Sequence, residues 1–296
     1  MRKQAVISVN AAVLMFGLAG LFARWVQLPA ISITFGRVLF SSAALALFMF
    51  VRKESFIIAD RRDLRRLVCA GVILALHWWS FLRSIQLSTV AIGTITFSSF
   101  PLFVTFLEPL VFHQRLKPRS LVSAVLILAG VMITIPSFSF ADSAFAGILT
   151  GMVSAAAYAV LAVMNKGFAE KYSGTLTAFY EQATAAAVLL PFAAVQRMRP
   201  SVADIGLLLL LGVVTTALAH TLFISSLKYL PAQLAGVCSS METVYGILFA
   251  LLFLGEIPSV REIAGAAIIV GTVAAAQILE APGSDRITER NKKNAY

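Results

Sequence analysis

The chain has 296 residues, of which 59% are hydrophobic and only 13% are charged, whereas a soluble globular protein carries roughly 25% charged residues. The deficit extends over the whole sequence and excludes a soluble globular fold, so we expect a polytopic membrane protein. The net charge of +10 does not indicate nucleic acid as a partner, because the basic residues cluster at predicted helix ends rather than on one surface.

Long apolar runs, each about 18 to 25 residues and sufficient to cross the ~30 Å hydrocarbon layer, predict the helices. In chain order they are 5–26, 30–51, 67–85, 88–112, 119–136, 145–165, 174–195, 203–226, 231–254 and 260–280. The first run lacks a small-residue cleavage site followed by a polar mature domain, so we interpret it as a span and not as a signal peptide. The predicted fold is an all-α integral membrane protein with ten transmembrane helices.

The distribution of Lys and Arg predicts the orientation of these helices. One connection, 52–66, is both long and strongly charged. If both termini are cytoplasmic, the outside segments contain few basic residues, namely Arg24, Arg83, Arg197, Arg199 and Arg261. The positive-inside rule then places the N- and C-termini in the cytoplasm, in the inner (plasma) membrane of the cell.

The two halves of the sequence align on each other. The segment "GVILALHWWSFLRSIQLSTVA" at 71–91 matches "GVVTTALAHTLFISSLKYLPA" at 212–232. Each half has five predicted spans, an odd number, so the second half enters the membrane in the opposite sense. We therefore predict two inverted-topology five-helix repeats, 1–140 and 141–282, followed by a basic cytoplasmic tail, 283–296. Transporters built in this way bind substrate near the midplane between their halves.

The segment "ALAHTLFISSLKYLPAQLAGVCSSMETVYGILFALLFLGE" at 217–256 carries a family resemblance. Its L-P-A turn, its Met-Glu pair and its final L-G-E resemble the ten-helix EamA-type branch of the drug/metabolite transporter superfamily. The chain departs from that pattern at Glu242-Thr243, where the family has Glu-Pro. The resemblance implies export or exchange of small metabolites, amino acids or related solutes.

Glu242 is the first candidate site residue, because it lies near the middle of the predicted span 231–254. A charge at that depth costs at least ~2.5 kcal/mol and usually faces a protein interior or a watery cavity. Three roles stay open for it: binding a substrate amine, carrying a coupling proton, or fixing a neighbouring helix by accepting hydrogen bonds.

The aromatic and basic candidates are Trp78, Trp79, His220 and Arg37. The two tryptophans are deep within their span rather than at its end, so we expect at least one to face a cavity and not lipid. His220 pairs with Trp79 in the alignment of the two halves. It is either a hydrogen-bonded structural residue or a ligand or proton carrier. Arg37 either holds an anionic substrate group or pairs with a neighbouring helix.

The remaining polar residues within apolar spans are Asn10, Tyr158, Glu181 and Gln182, of which Asn10 and Tyr158 complete the predicted substrate site. Cys69 and Cys238 both fall in apolar runs, so neither a disulfide framework nor a thiolate metal site is predicted. The chain also lacks a nucleotide-binding Gly-x-x-x-x-Gly-Lys-Ser/Thr loop, and we predict no cofactor.

The favoured function is a secondary transporter that moves a small metabolite by alternating access. Its predicted partners are a small-molecule substrate and the lipid bilayer, with a coupling proton as an open candidate. The alternative is a membrane-embedded enzyme. That function requires a Gly-x-Ser-x-Gly run, a His-Glu-x-x-His run or paired aspartates within spans, and the sequence contains none of these. The sequence does not predict an oligomeric state.

Overall fold

A computed structural model describes residues 2–112, 118–135, 142–196, 200–229 and 232–279, and these contain helices and no β-strand. The predicted basic tail, 283–296, lies outside the described residues. The helices are α1 (Arg2–Ala19), α2 (Phe22–Trp25), α3 (Ala30–Arg52), α4 (Arg61–Leu87), α5 (Val90–Phe97), α6 (Phe100–Phe112), α7 (Pro118–Thr134), α8 (Ser143–Lys171), α9 (Gly174–Val195), α10 (Val202–Gly212), α11 (Ala219–Leu227), α12 (Ala232–Leu254) and α13 (Val260–Leu279).

Seven helical runs among the described residues are long and apolar enough to cross a membrane. They are Lys3–Trp25, Ala30–Arg52, Arg61–Leu87, Val90–Leu107, Ser143–Lys171, Gly174–Val195 and Val202–Leu227, with Ser120–Thr134 and Met241–Leu254 as shorter apolar helices. Large apolar side chains such as Leu47, Phe192 and Leu252 are exposed on the outer faces, as expected of surfaces that contact lipid. The predicted all-α membrane protein is confirmed, and the count of ten spans stays a prediction.

Three of the predicted spans contain interruptions. The first breaks between α1 and α2, and the fourth breaks at Ser98–Ser99, between α5 and α6. The eighth contains a π-helical segment, Val213–Leu218. Side-chain hydroxyl groups contribute to two of these interruptions, because they compete with backbone N–H groups for hydrogen bonds to backbone carbonyls. Ser99 Oγ donates to Thr96 O at 2.6 Å, and Thr216 Oγ1 donates to Leu211 O at 2.7 Å, five residues earlier.

Acidic residues at the edges of the apolar runs cap helices. Asp60 Oδ1 accepts from Arg62 N at 2.7 Å before α4, and Asp142 Oδ1 accepts from Ala144 N at 2.8 Å before α8. Ser201 and Asp204 form a reciprocal capping box at the start of α10. Each cap satisfies backbone N–H groups that the first turn of a helix leaves unpaired.

Close helix contacts position the centre of the molecule. Gly147 and Gly151 bring α8 against α4, and a Cβ added to Gly147 would lie 2.9 Å from Ser88 Cβ. Ser84 Oγ donates to Gly147 O at 2.6 Å across this contact. Gly147 and Gly151 have the small-xxx-small spacing that lets helix backbones approach closely, and here it allows packing within the molecule. α9 packs on α3 and α4, α1 packs on α11 and α12, and α7 and α13 pack mainly on each other.

Candidate functional site

A cavity lies at the centre of the helices, between α1, α3, α4, α5, α8, α11 and α12. Its polar lining comes from Arg37, His77, Tyr158, His220 and Glu242, and the rest from Phe16, Ala19, Leu74, Trp78, Phe81, Phe97 and Phe223. Its volume of about 30 Å³ holds on the order of one water molecule. Ligand pockets are typically about 300 Å³ or larger, so a metabolite enters only if the helices move apart.

Arg37 projects from α3 into this cavity and is 2% exposed. Its guanidinium carbon lies 3.9 Å from the centroid of the Trp78 ring, and its Nε donates to Thr216 Oγ1 at 2.7 Å. Stacking on an aromatic face stabilises a desolvated cation. The planar guanidinium presents further N–H donors that suit a carboxylate, so the position of Arg37 fits an anion-binding group.

His220 pairs with a carboxylate immediately behind the cavity wall. Its Nε2 lies 2.9 Å from Glu181 Oε2, and Glu181 on α9 is fully buried. The imidazole also lies edge-on to Trp78, with ring centroids 5.5 Å apart. His220 therefore has a hydrogen-bond partner and also lines the cavity, so its position is compatible with each of the two roles that the sequence left open.

His77 lines the cavity although sequence reasoning did not select it. Its Nδ1 lies 2.8 Å from Ser154 Oγ, and Ser154 Oγ donates to His77 O at 3.0 Å, so α4 and α8 are tied together. Tyr158 lies one turn further along α8, with its ring 5.0 Å from that of His77. The spacing of the α4 lining residues 74, 77, 78 and 81 is that of one helix face. This spacing is the signal that could have identified His77.

Glu242 and Arg37 bring an acidic and a basic side chain to the same cavity wall. Glu242 comes from α12 and is partly exposed. Within the described part of the chain, no ion pair joins it to Arg37. The cavity is therefore lined by one group suited to an anion and one suited to a cation.

Two predicted site residues lie elsewhere. Trp79 lines a shallow groove with Pro29, Arg83 and Phe192, because consecutive residues of an α-helix point about 100° apart. Asn10 lies between α1 and α12, where its Nδ2 donates to Val6 O at 2.8 Å and approaches Cys238 Sγ at 3.7 Å. Trp78, Tyr158, Arg37, His220 and Glu242 converge on the cavity, whereas Trp79 and Asn10 do not.

One end of the molecule is bridged by Arg24 and Glu256. Arg24 Nε lies 3.1 Å from Glu256 Oε1, and the Arg24 guanidinium also donates to Ser88 O. Val90 N donates to Glu256 Oε2 at 2.9 Å. Gly255 has φ +67°, a left-handed conformation that glycine adopts without strain, and it ends α12 so that Glu256 can turn back. This is a physical role for the L-G-E motif.

The opposite end is bridged by Asp63. Its Oδ2 accepts from Lys171 Nζ at 3.0 Å and from Tyr172 Oη at 2.8 Å. The hydrogen bond to Asp63 raises the pKa of Tyr172 above its ordinary value. Asp63 belongs to α4, and its two partners belong to the end of α8 and the residue that follows. Both ends of the molecule are therefore spanned by polar contacts.

A family model described as the EamA-like transporter family matches the chain twice, at residues 3–135 and 145–276. A protein of Archaeoglobus fulgidus named as an uncharacterized transporter is 30% identical over 274 residues, which cover 92% of this chain and 96% of that protein. A protein of Rickettsia felis named as an S-adenosylmethionine uptake transporter is 24% identical over 244 residues, 82% of this chain and 81% of that protein.

The fold also matches a solved structure. A crystal structure superposes on this chain with a TM-score of 0.68 at 18% sequence identity. The superposition covers 94% of this chain and 98% of the chain in that structure. At that identity the likeness concerns the fold alone. The names of the family and of the relatives are those of transporters, which is consistent with a protein that is not an enzyme.

Proposed function

The chain belongs to the EamA-like transporter family, and on this premise we propose that it is a secondary transporter that moves a small zwitterion by alternating access. In this proposal, ten spans form two inverted five-helix repeats, 1–140 and 141–282. The protein resides in the inner membrane with both termini in the cytoplasm. The family resemblance favours export or exchange of an amino acid or a related solute.

The observation that carries the substrate class is the placement of Arg37 and Glu242 on one aromatic-lined cavity. An α-amino acid presents a carboxylate and an ammonium group close together, and the guanidinium and the carboxylate match these two charges. The rings of Trp78, Phe81 and Phe97 then offer apolar contact to the rest of the solute. A substrate that satisfies both charges avoids leaving either group desolvated and unpaired.

The contacts at the two ends support alternating access as the mechanism. The cavity is too small for a metabolite, and the Arg24–Glu256 and Asp63–Lys171 pairs join helices at the two ends of the molecule. Opening one set of contacts while the other persists admits solute from one side. Reversal of the two sets releases it on the other side.

S-adenosylmethionine, which the names of the Rickettsia relatives mention, fits the same chemistry. It combines an amino-acid head with a sulfonium cation and an aromatic base. The head meets the requirement of Arg37 and Glu242, and a flat base or a cation suits aromatic walls. It is therefore a reasonable member of a test panel beside L-phenylalanine.

The experiment is counterflow of radiolabelled L-phenylalanine and S-adenosylmethionine in proteoliposomes, with three competitors. Unlabelled phenylalanine carries both charges, phenethylamine carries only the ammonium group, and 3-phenylpropionate carries only the carboxylate. We expect phenylalanine to compete best. Glu242→Gln should weaken competition by phenylalanine at least about tenfold, since a hydrogen bond to a charged group contributes about 1.5–3 kcal/mol. The same substitution should change competition by 3-phenylpropionate little.

Adjacent tryptophans give a matched control. Trp78→Phe alters the cavity, whereas Trp79→Phe makes the same chemical change on a face outside it. We expect the first to weaken competition and the second to leave it unchanged at equal protein yield. A Glu242→Gln variant that transports like the parent at every pH would make Glu242 a structural residue. Absence of saturable flux for a broad panel of amino acids and metabolites would contradict the transporter function.

A further inference from the structure

The pair formed by Glu181 and His220 lies behind the wall of the cavity. Glu181 Oε2 lies 2.9 Å from His220 Nε2, and Glu181 is 0% exposed. Its second oxygen, Oε1, is buried and has no hydrogen-bond partner among the described residues. A buried carboxylate oxygen without a partner is unfavourable when it is ionised. A proton shared between Oε2 and Nε2 removes this penalty.

With this geometry, the Glu181–His220 pair binds one proton between its two members. The pair has no net charge when it is a carboxylate with an imidazolium, and equally none when it is a carboxylic acid with a neutral imidazole. Loss of the proton leaves one negative charge in a buried site. Gain of a second proton leaves a positive charge close to Arg37. Both changes are costly in a low dielectric, so one proton is the preferred occupancy.

Arg37 connects this pair to the substrate site. The Trp78 ring contacts the Arg37 guanidinium, 3.9 Å from its centroid, and the His220 ring, with centroids 5.5 Å apart. When no substrate is present, the positive charge of Arg37 offsets the negative charge that loss of the proton leaves on the pair, so the empty site releases its proton to water in the cavity. When a substrate carboxylate binds Arg37, that charge is neutralised and the proton is retained. Substrate and proton then bind and cross together, so net transport follows their combined gradients, and a sufficient outward solute gradient gives export.

We propose that Glu181 and His220 form the site of the coupling proton, separate from the substrate groups Arg37 and Glu242. This inference rests on the proposed function. The other titratable groups that face the pair are His77 on α4, Tyr158 on α8 and Glu242 on α12. Glu242 lines the cavity directly and is partly exposed, which suits a group that meets substrate. Glu181 does not line the cavity, so its proton exchanges through His220.

The first test compares two modes of transport by Glu181→Gln in proteoliposomes. An amide keeps the shape of the protonated acid but cannot release a proton. With L-phenylalanine or S-adenosylmethionine as the probe, whichever the parent exchanges faster, we expect counterflow at a rate within about twofold of the parent. Accumulation driven by a pH gradient, acidic outside, should fall to the level without a gradient. His220→Gln tests the pair from its other member: because His220 also lines the cavity, the expected result is loss of gradient-driven accumulation relative to the counterflow of the same variant.

Thr177→Val is the matched control. Thr177 lies one turn before Glu181 on α9 and is fully buried, so the variant perturbs the same helix without removing a proton-binding group. We expect it to keep both counterflow and accumulation driven by the gradient. If Glu181→Gln still accumulates the probe under the gradient, the proposal is wrong.

The second test needs no substrate. Infrared difference spectra between pH values above about 6, where exposed carboxyl groups stay ionised, should show the C=O stretching band of a buried carboxylic acid in the parent. We expect one such band to be lost in Glu181→Gln, shifted in His220→Gln and retained in Glu242→Gln. A band that disappears only in Glu242→Gln would overturn the assignment. If the parent exchanges neither probe, the proposed function fails, and the spectra then decide the proton site independently.

Discussion

The two ends of the molecule are held together by different kinds of contact. Asp63 on α4 and Ser88, directly after α4, mark these ends and lie 25 positions apart, roughly 37 Å at about 1.5 Å per residue. At the Ser88 end, both members of the Arg24–Glu256 pair are partly buried, with exposed fractions of 32% and 22%, and both also bind backbone groups. At the other end, Asp63 is buried, but its partners Lys171 and Arg66 are 56% and 67% exposed.

This difference indicates which end is harder to open. An ion pair whose cation is mostly in water contributes little, whereas one that also anchors helix ends contributes more. Both sets of contacts join the first matched range of the chain to the second. The relative strength of the two ends therefore sets which side of a transporter is open at rest, and the Asp63 end is the one that we expect to open more readily.

The largest expected effect comes from Glu256→Gln, which removes the charge from the stronger end. A charge-assisted contact contributes about 1.5–3 kcal/mol, and partial exposure reduces this to roughly 1.4 kcal/mol, a factor of about ten in the open population. Val26, two residues after Arg24, is 2% exposed, so Val26→Cys reports the opening when Cys69 and Cys238 are replaced by Ser. We expect maleimide labelling of this cysteine in purified protein to accelerate about tenfold. An unchanged rate would show that the pair does not hold this end closed.

A smaller effect is expected from Asp63→Asn. The natural Cys238 is 7% exposed and lies roughly 27 Å along α12 from Glu256 at about 1.5 Å per residue, toward the Asp63 end. In a Cys69→Ser background, Asp63→Asn should accelerate the labelling of Cys238 by a factor of about two to five. Glu256→Gln should slow it, because the two ends do not open together. Acceleration of Cys238 labelling by both variants would contradict alternation.

Ionic strength should give the smallest effect. Raising salt from 0.1 to 1 M shortens the screening length from about 10 Å to about 3 Å, and exposed Lys171 and Arg66 are the cations most affected. We expect Cys238 labelling to rise by less than about twofold and labelling at Val26→Cys to stay constant. A larger response at the Arg24 end would reverse the ranking of the two ends.

The sequence predicted the membrane class and five of the cavity residues. A charged or polar side chain inside an apolar span is expensive unless it faces a cavity or a partner, and this rule selected Arg37, His220, Glu242 and Tyr158. It also selected Asn10, for which the structure shows a different solution, a contact between two neighbouring helices. Burial cost alone does not distinguish a partner on the next helix from a central cavity.

The choice between Trp78 and Trp79 required the structure. Alignment of the two halves pairs His220 with Trp79, yet Trp78 is the tryptophan that shares the cavity with His220. The π-helical segment Val213–Leu218 precedes His220 and takes up about one more residue than a regular turn. Beyond this segment, the residues of α11 that face the cavity are therefore numbered one position later than the alignment with α4 predicts. α4 contains no such segment. The sequence carries no signal of this displacement.

The π-helical segment also has a genetic consequence. Loss of one residue from a packed helix normally rotates everything beyond it out of register, but loss of one residue within Val213–Leu218 would yield an ordinary α-helix. Because the segment accommodates about one residue more than a regular turn, that single-codon deletion would leave His220 facing Glu181 and the cavity. We therefore expect a one-residue deletion to be tolerated within this segment, with the His220–Glu181 contact retained.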